Sequence, residues 1–505
     1  MKRIKQVLFA AAVLFLPLLI FADGGKKAGF KEAVHKALDS SEEIIKAVSA
    51  IREAEATVEK TYGQFDLFFK GGVTYLESDT EATSPFSPES TDVLSYNASL
   101  SNKLFTGGTL SLQMEYSKTI LGYPEAELGF PMDTSLFTAQ YNPAFEPSFS
   151  LVYIQPLLKD FWGRPDQKAI KAGEYSVKMA KAGLKNSILD IISGLKESYF
   201  LIYMSEKMVE IQKDFYRDAE KYYNRSVELE KIGLREKKDV YQTKASMLNS
   251  KAEIAPAENR LKTAKENFLN MAGYPAEKWD EIELSVTGEA EEPYIPGELK
   301  KDLEATLIDV QPAVVMAKLG VDMARIGTEI SENESLPSLN LTGKYGLEGT
   351  GAAVEEGYEK MGTNDYNNFM IGMDLSYAFP NRAASGNIKE KKEGLLQAKK
   401  KYEAARKGVK IAVRNAYRQL LTAKSDYELK KEAKKLQKKR LDIEEKNFNQ
   451  GRISTQQLLM AQTDYHTSGI KEITAFYEYV KAVNNWNRIT GRYDKYYNEY
   501  INKGD

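Results

Sequence analysis

Two rhythms of apolar residues alternate along the chain. The first is helical. Over 165–230, Ile188, Leu195, Ile202, Val209, Tyr216 and Tyr223 recur at every seventh position with further apolar residues between them, the seam of a coiled coil. A second long helical pattern, rich in Lys, Glu and Ala, fills 387–449 and carries Leu395, Tyr402, Ile411, Tyr417, Leu420 and Leu436. Shorter helical patterns cover 28–62, 237–272, 298–333 and 455–490. The second rhythm is strict alternation, which predicts strands. Leu339, Leu341, Tyr345 and Leu347 share one face of 338–347, opposite Asn340, Thr342 and Lys344. Phe369, Ile371, Met373, Leu375, Tyr377 and Phe379 do the same over 369–379. Four more such segments run from Phe65 to Tyr75, Leu94 to Leu104, Leu110 to Tyr116 and Phe149 to Tyr153. The "TGGT" at 106–109 joins the middle two as a tight hairpin.

Each long helix ends in the same way. "KIGLREKKDV" (231–240) and "NQGRISTQQL" (449–458) place a glycine and polar residues where a helix would continue. Gly233 and Gly451 suit a left-handed helix C-cap. The following helix starts with Ser454 and Gln457 in capping-box spacing, and with Glu236 and Asp239 at the equivalent places of the first break. Gly233 matches Gly451 and Gly273 matches Gly491 at one offset, so each half reads as strands, long helix, break, shorter helix: an internal two-fold repeat.

Composition narrows the classes. The formal net charge of −2 is unlike that of a nucleic-acid binder. The basic "KKEAKKLQKKR" (430–440), with acids close by, reads as a solvated helix face. There is no cysteine and there are two histidines, which excludes thiolate chemistry and disfavours a metal centre. No nucleophile–base pair or paired carboxylates stand in a pocket-like context, so neither an enzyme nor a cofactor is expected. Residues 1–22 have a basic start and an apolar run too short and proline-interrupted for a membrane anchor, the layout of a secretory signal peptide. An exported chain with no later apolar span re-enters a membrane only as a β-barrel. Six strands are fewer than the roughly eight of the smallest barrels, and an open sheet edge does not survive in lipid. The strands, if membranous rather than part of a soluble sandwich, must therefore be pooled between copies.

With "LPSLNLTGKYG" (336–346), "QPLL" (155–158), "GLREKKDV" (233–240) and "LNMAGYP" (269–275) in this order, the chain resembles the TolC-like outer-membrane efflux proteins. That resemblance implies a mixed α and transmembrane-β fold: a homotrimer with one shared barrel in outer-membrane lipid and a long coiled-coil periplasmic tunnel. It implies an exit channel for a tripartite efflux or type I secretion system, with a periplasmic adaptor and an inner-membrane pump as partners. The segments become 1–22 signal peptide, 23–64 N-terminal helical segment, 65–157 first barrel strands, 158–275 first tunnel helices, 276–335 equatorial connector and helix, 336–380 second barrel strands, and 381–505 second tunnel helices and tail. Where relatives usually contribute four strands per subunit, six are expected here.

The hairpin tips are the expected adaptor contact, with Gly233, Leu234, Asp239, Val240, Gly451, Arg452 and Leu458. Asp239, Phe448, Arg452, Gln457 and Met460 are the gate candidates, with the partners of Asp239 expected on the facing second-half tip near Phe448 to Gln457, where Arg452 is the one cation. Gln457 and Met460 stand where family members often carry aspartates, so only weak cation selectivity is expected. Two rivals remain: an exported coiled-coil structural or adhesion protein, which has no use for the alternating strands, and a diffusion porin, which has no use for helices about 100 Å long.

Overall fold

The computed structural model describes residues 29–83, 87–123, 140–284, 286, 295–363 and 366–504. The signal peptide and most of "TGEAEEPYIPG" lie outside the described residues. Eleven α-helices and six strands are described. In chain order they are α1 (Phe30–Ser40), α2 (Glu42–Tyr62), β1 (Phe68–Asp79), β2 (Ser90–Lys103), β3 (Thr109–Gly122), β4 (Ala144–Pro156), α3 (Arg164–Lys231), α4 (Lys237–Ala252), α5 (Ile254–Met271), α6 (Lys301–Asp309), α7 (Pro312–Glu334), β5 (Ser338–Glu348), α8 (Val354–Gly362), β6 (Asn367–Ser376), α9 (Arg382–Asn449), α10 (Thr455–Ile489) and α11 (Asp494–Gly504). Among the described residues no helix is long and apolar enough to cross a membrane. The chain forms two compact units built from non-contiguous segments, 1–42, 188–297 and 416–505 in one, 43–187 and 298–415 in the other.

The second unit holds the sheet. All six strands form one antiparallel sheet in sequence order, so the expected strand count per chain is borne out and β1 and β6 are its free edges. The register sorts the side chains. Val73, Tyr96, Tyr116 and Pro147 line up across four strands, as do Tyr345 with Phe369 and Leu341 with Met373. One face is therefore apolar from edge to edge: Phe69, Val73, Leu100, Met114, Leu151, Ile371 and Leu375 all lie on it, and all are well exposed. The other face carries Lys70, Ser99, Gln113, Glu115 and Lys344. Alternation at period two is what divides them. The strands run longer than their alternating cores suggest. Phe65 instead ends a short 3-10 turn before β1, and Tyr377 and Phe379 fall beyond β6. The "TGGT" hairpin forms as expected, with Gly107 at φ +77°, where a Cβ would lie 2.7 Å from the Asp160 carbonyl oxygen.

In the same unit Ile44, Ile51, Ile170, Leu184, Val314, Val321 and Val413 supply the buried faces of the helix segments. Glu304 of α6 takes a two-pronged hydrogen bond from Arg414 of α9 (2.5 and 3.1 Å), which holds its carboxyl below the usual range.

The first unit is a helical assembly that takes 188–231 of α3 and 416–449 of α9, helices of 68 residues each. The expected seam of α3 holds from Ile188 to Val209, all buried, then drifts: Tyr216 and Tyr223 leave it, and Ala219, Tyr222, Ser226 and Leu229 take their place. A straight helix turns every 3.6 residues, so a seven-residue stripe rotates out of register over several heptads. Three helical patterns expected as continuous are broken, at Ser41, at Glu253 and at Val310–Gln311. The last two have a visible sequence signal, Pro312 at the start of α7 and Pro256 in the first turn of α5, which has no N–H to continue the helical bond to Ala252 O. α8 and α11 are helices that the alternation and heptad patterns do not announce.

Candidate functional site

Both breaks close with the same hydrogen bonds. Gly233 N–H donates to Glu230 O and Leu234 N–H to Leu229 O; 218 positions on, Gly451 N–H donates to Phe448 O and Arg452 N–H to Asn447 O, all at 2.9 Å. These are Schellman caps, with φ +78° at Gly233 and +72° at Gly451. An added Cβ meets nothing within 4 Å at either glycine, so backbone conformation alone selects glycine there. Valine at either position costs about 1–2 kcal/mol of left-handed strain. We expect Gly233→Val to lower the thermal midpoint by a few degrees and Gly451→Val to do the same, read by circular dichroism of the purified protein.

The next helices start as expected. Ser454 Oγ accepts from Gln457 N–H (3.3 Å) while the Gln457 side chain accepts from Ser454 N–H (2.9 Å). In the first tip Glu236 N–H donates to Asp239 Oδ2 (3.2 Å). Asp239 and Gln457 are thus both engaged at their own helix starts.

The expected Asp239–Arg452 pair does not form: no ion pair joins them among the described residues, because the Asp239 carboxylate is turned back onto its own backbone. Arg235 does the joining instead. Its Nη2 donates to Ile453 O at 2.6 Å, and its guanidinium lies 4.7 Å from the centre of the Phe448 ring. Its Nε is buried without an acceptor among the described residues. Arg235 and Ile453 occupy equivalent places in the two tips, 218 residues apart.

One expected contact residue, Leu458, and one gate candidate, Phe448, are interior. Leu458 and Phe448 are buried with Tyr222, Leu229, Leu441 and Ala461 in one cluster, flanked by Ile453 and Tyr465. Apolar bulk packed between three helices is a wall element, so neither presents a surface in this conformation. Gly233, Leu234, Gly451, Arg452 and Met460 are exposed and Val240 half-buried. Ile232 (68% exposed) adds to Leu234 (65%) as apolar surface that the sequence reading overlooked.

Beyond the tips, Lys434–Glu472 (2.6 Å) and Arg440–Asp464 (2.7 Å) tie α9 to α10, and Lys213–Glu258 (2.7 Å) ties α3 to α5. His466 stacks on Phe215 with ring centres 4.0 Å apart, and its Nε2 lies 3.1 Å from Gln212 Oε1. Burial lowers its pKa from the ordinary value, Glu253 opposing weakly. The unfolded chain then binds the proton more readily than the fold, so stability is whole above about pH 6.5 and falls as pH drops below it. We expect the thermal midpoint to fall between pH 7.5 and pH 5, and His466→Gln to show a smaller fall.

Against known proteins, residues 306–492 match the family described as outer membrane efflux protein. Solved structures similar in fold include the Campylobacter jejuni CmeC outer membrane channel (TM-score 0.64, 14% identity, 92% of this chain and 85% of that one). The outer membrane protein VceC from Vibrio cholerae aligns at TM-score 0.63 with 13% identity, over 92% of this chain and 96% of that one. The open state of the Neisseria gonorrhoeae MtrE outer membrane channel aligns at 0.61 with 13% identity, over 92% and 88%. No curated protein matches in sequence. The expected family and its outer-membrane setting agree with these matches.

Proposed function

We propose, from the premise that this chain carries an outer membrane efflux protein domain, that three copies assemble into the exit channel of a tripartite efflux or type I secretion system. One observation carries this reading: a six-stranded sheet with a continuous apolar face and two unpaired edges. Such a sheet is costly both in water and, alone, in lipid. Three copies joined edge to edge, β6 of one against β1 of the next, give eighteen strands and leave no edge.

The helices support the same arrangement. Leu429, Leu436 and Ile443 lie seven residues apart on α9 and are 67%, 56% and 60% exposed; Tyr241 and Leu248, seven apart on α4, are 69% and 51% exposed. Heptad-spaced apolar residues facing nothing are an unmated coiled-coil seam. A ring in which α9 of one copy meets α4 of the next closes both stripes. Helices of 68 residues suit a wall spanning a compartment. A diffusion porin has no use for that length, and an adhesion coiled coil has no use for the sheet.

The tips are then the adaptor contact and the gate, with Ile232, Leu234, Arg452 and Met460 as the accessible surface. Energy comes from the inner-membrane pump. With Gln457 held in its cap and Met460 exposed, the tip offers no acidic ring at these places, and cation selectivity is weak. The test is the purified protein in detergent: an SDS-resistant trimer that forms long-lived pores in planar bilayers supports the reading, and a monomer without pore activity overturns it.

A further inference from the structure

We propose that α8 is an interfacial helix packed by its apolar stripe on the lipid side of the barrel, with the exposed edge of that stripe, Val354 and Tyr358, in the headgroup zone of the outer leaflet. The inference rests on the membrane reading of the sheet and adds a lipid-binding element to it. α8 follows β5 at the sheet end remote from the helices, because α2, α3, α7 and α9 all meet the strands at the other end. It does not project away. The β4–β5 ladder continues through Gly349–Pro147 and Gly351–Phe145, and α8 then folds back over β4, where its Tyr358 ring stacks on Tyr116 at 6.3 Å. Tyr116 also meets Tyr96 (6.0 Å) and Phe145 (6.5 Å). By the strand register Tyr96, Tyr116 and Pro147 belong to the apolar face. The helix therefore covers the face assigned to lipid, not the polar face assigned to the lumen.

The fit is built into the chain. At Gly357 a Cβ would stand 2.8 Å from Pro147 Cδ and 2.9 Å from Phe145 O; at Gly351 it would stand 2.7 Å from Gly357 N. Lys360 pins the end of the helix through Glu356 (2.7 Å), the Tyr141 hydroxyl (2.7 Å) and Thr350 O (3.1 Å). Val354, Tyr358 and Met361 share one stripe at helical spacing beside Gly357, the side that packs on β3 and β4, with Glu359 turned away from it. Val354 and Tyr358 remain 37% and 44% exposed. An apolar stripe with a tyrosine, continuous with the sheet's apolar face and backed by carboxylates, is the arrangement of a helix lying at a membrane interface.

The natural chain has no cysteine, so single-cysteine labelling needs no background removal. Val354→Cys and Ile371→Cys, each in the full-length protein, would carry a bimane probe in phosphatidylcholine–phosphatidylglycerol vesicles with or without nitroxide-labelled lipid. We expect lipid nitroxide to quench both, and aqueous iodide to quench neither strongly. Adding Gly357→Val should abolish lipid quenching at position 354 and leave position 371 unchanged. Quenching of position 354 by iodide alone, with position 371 still quenched by lipid, overturns the proposal and leaves α8 as a water-facing surface. Loss of lipid quenching at both positions overturns the membrane reading of the sheet, and the proposal with it.

Discussion

Glutamate at both Leu436 and Ile443 is expected to turn the proposed trimer into monomers. The two side chains are more than half exposed on the isolated chain and, in the proposed ring, become the centre of the α9–α4 seam. Burying each is worth about 1.5–3 kcal/mol. A glutamate in the same place must also shed its hydration with no cation built to receive it, which adds to the loss. Two such positions occur at every one of three interfaces. The sheet edges alone then have to hold the assembly, and in detergent they compete with micelle and solvent. Size-exclusion chromatography with light scattering reads the outcome as a threefold drop in protein mass. Lys439→Glu, on the same helix at an exposed polar position, should leave the mass unchanged. A double variant that stays trimeric with an unaltered melting temperature removes α9 from the interface.

The same stripe shows what a sequence discloses and what it does not. Leu436 was visible as an apolar helix position, yet nothing in its spacing separates a seam buried within one chain from a seam waiting for a second copy; Leu420, on the same helix, is fully buried while Leu436 is not. The strands were legible because alternation has one physical cause, two faces in different solvents, and all six formed one sheet. Gly233 and Gly451 were legible because positive φ selects glycine almost alone. α8 was missed because "VEEGYEKMG" is short and glycine-bounded, and its partner is a tyrosine on a strand far away in sequence. The break at Ser41 carries neither glycine nor proline to mark it, whereas Pro256, three residues past Glu253, marks the second break. Arg235 was hidden for a different reason: in "LREKKD" it is one cation in a charged run, and only the folded tip brings it to the Ile453 carbonyl.

That contact sets the last expectation. If the tips are the gate, the closed state must be held by bonds that a docking partner can replace, and Arg235 supplies the one cross-tip bond of this kind found among the described residues. A charged donor on a carbonyl is worth roughly 1.5–3 kcal/mol, and the stacking on Phe448 adds about 0.5–2 kcal/mol. The buried Nε without an acceptor works against these gains, so the net hold is modest and a partner can overcome it. Removing it from three subunits at once should shift the gate. We expect Arg235→Ala to raise resting conductance in planar bilayers several-fold, and Arg235→Lys, which keeps the charge but loses the planar fork, to fall between. Asp239→Ala removes a helix cap worth about 1 kcal/mol. It should therefore lower the melting temperature while leaving resting conductance near the wild-type value. The reverse result, conductance rising with Asp239→Ala and unchanged with Arg235→Ala, would return the gate to the aspartate and leave Arg235 a packing residue. A fall in melting temperature for Arg235→Ala with no change in conductance would mean that its bond to Ile453 holds the two hairpins together without closing the tunnel.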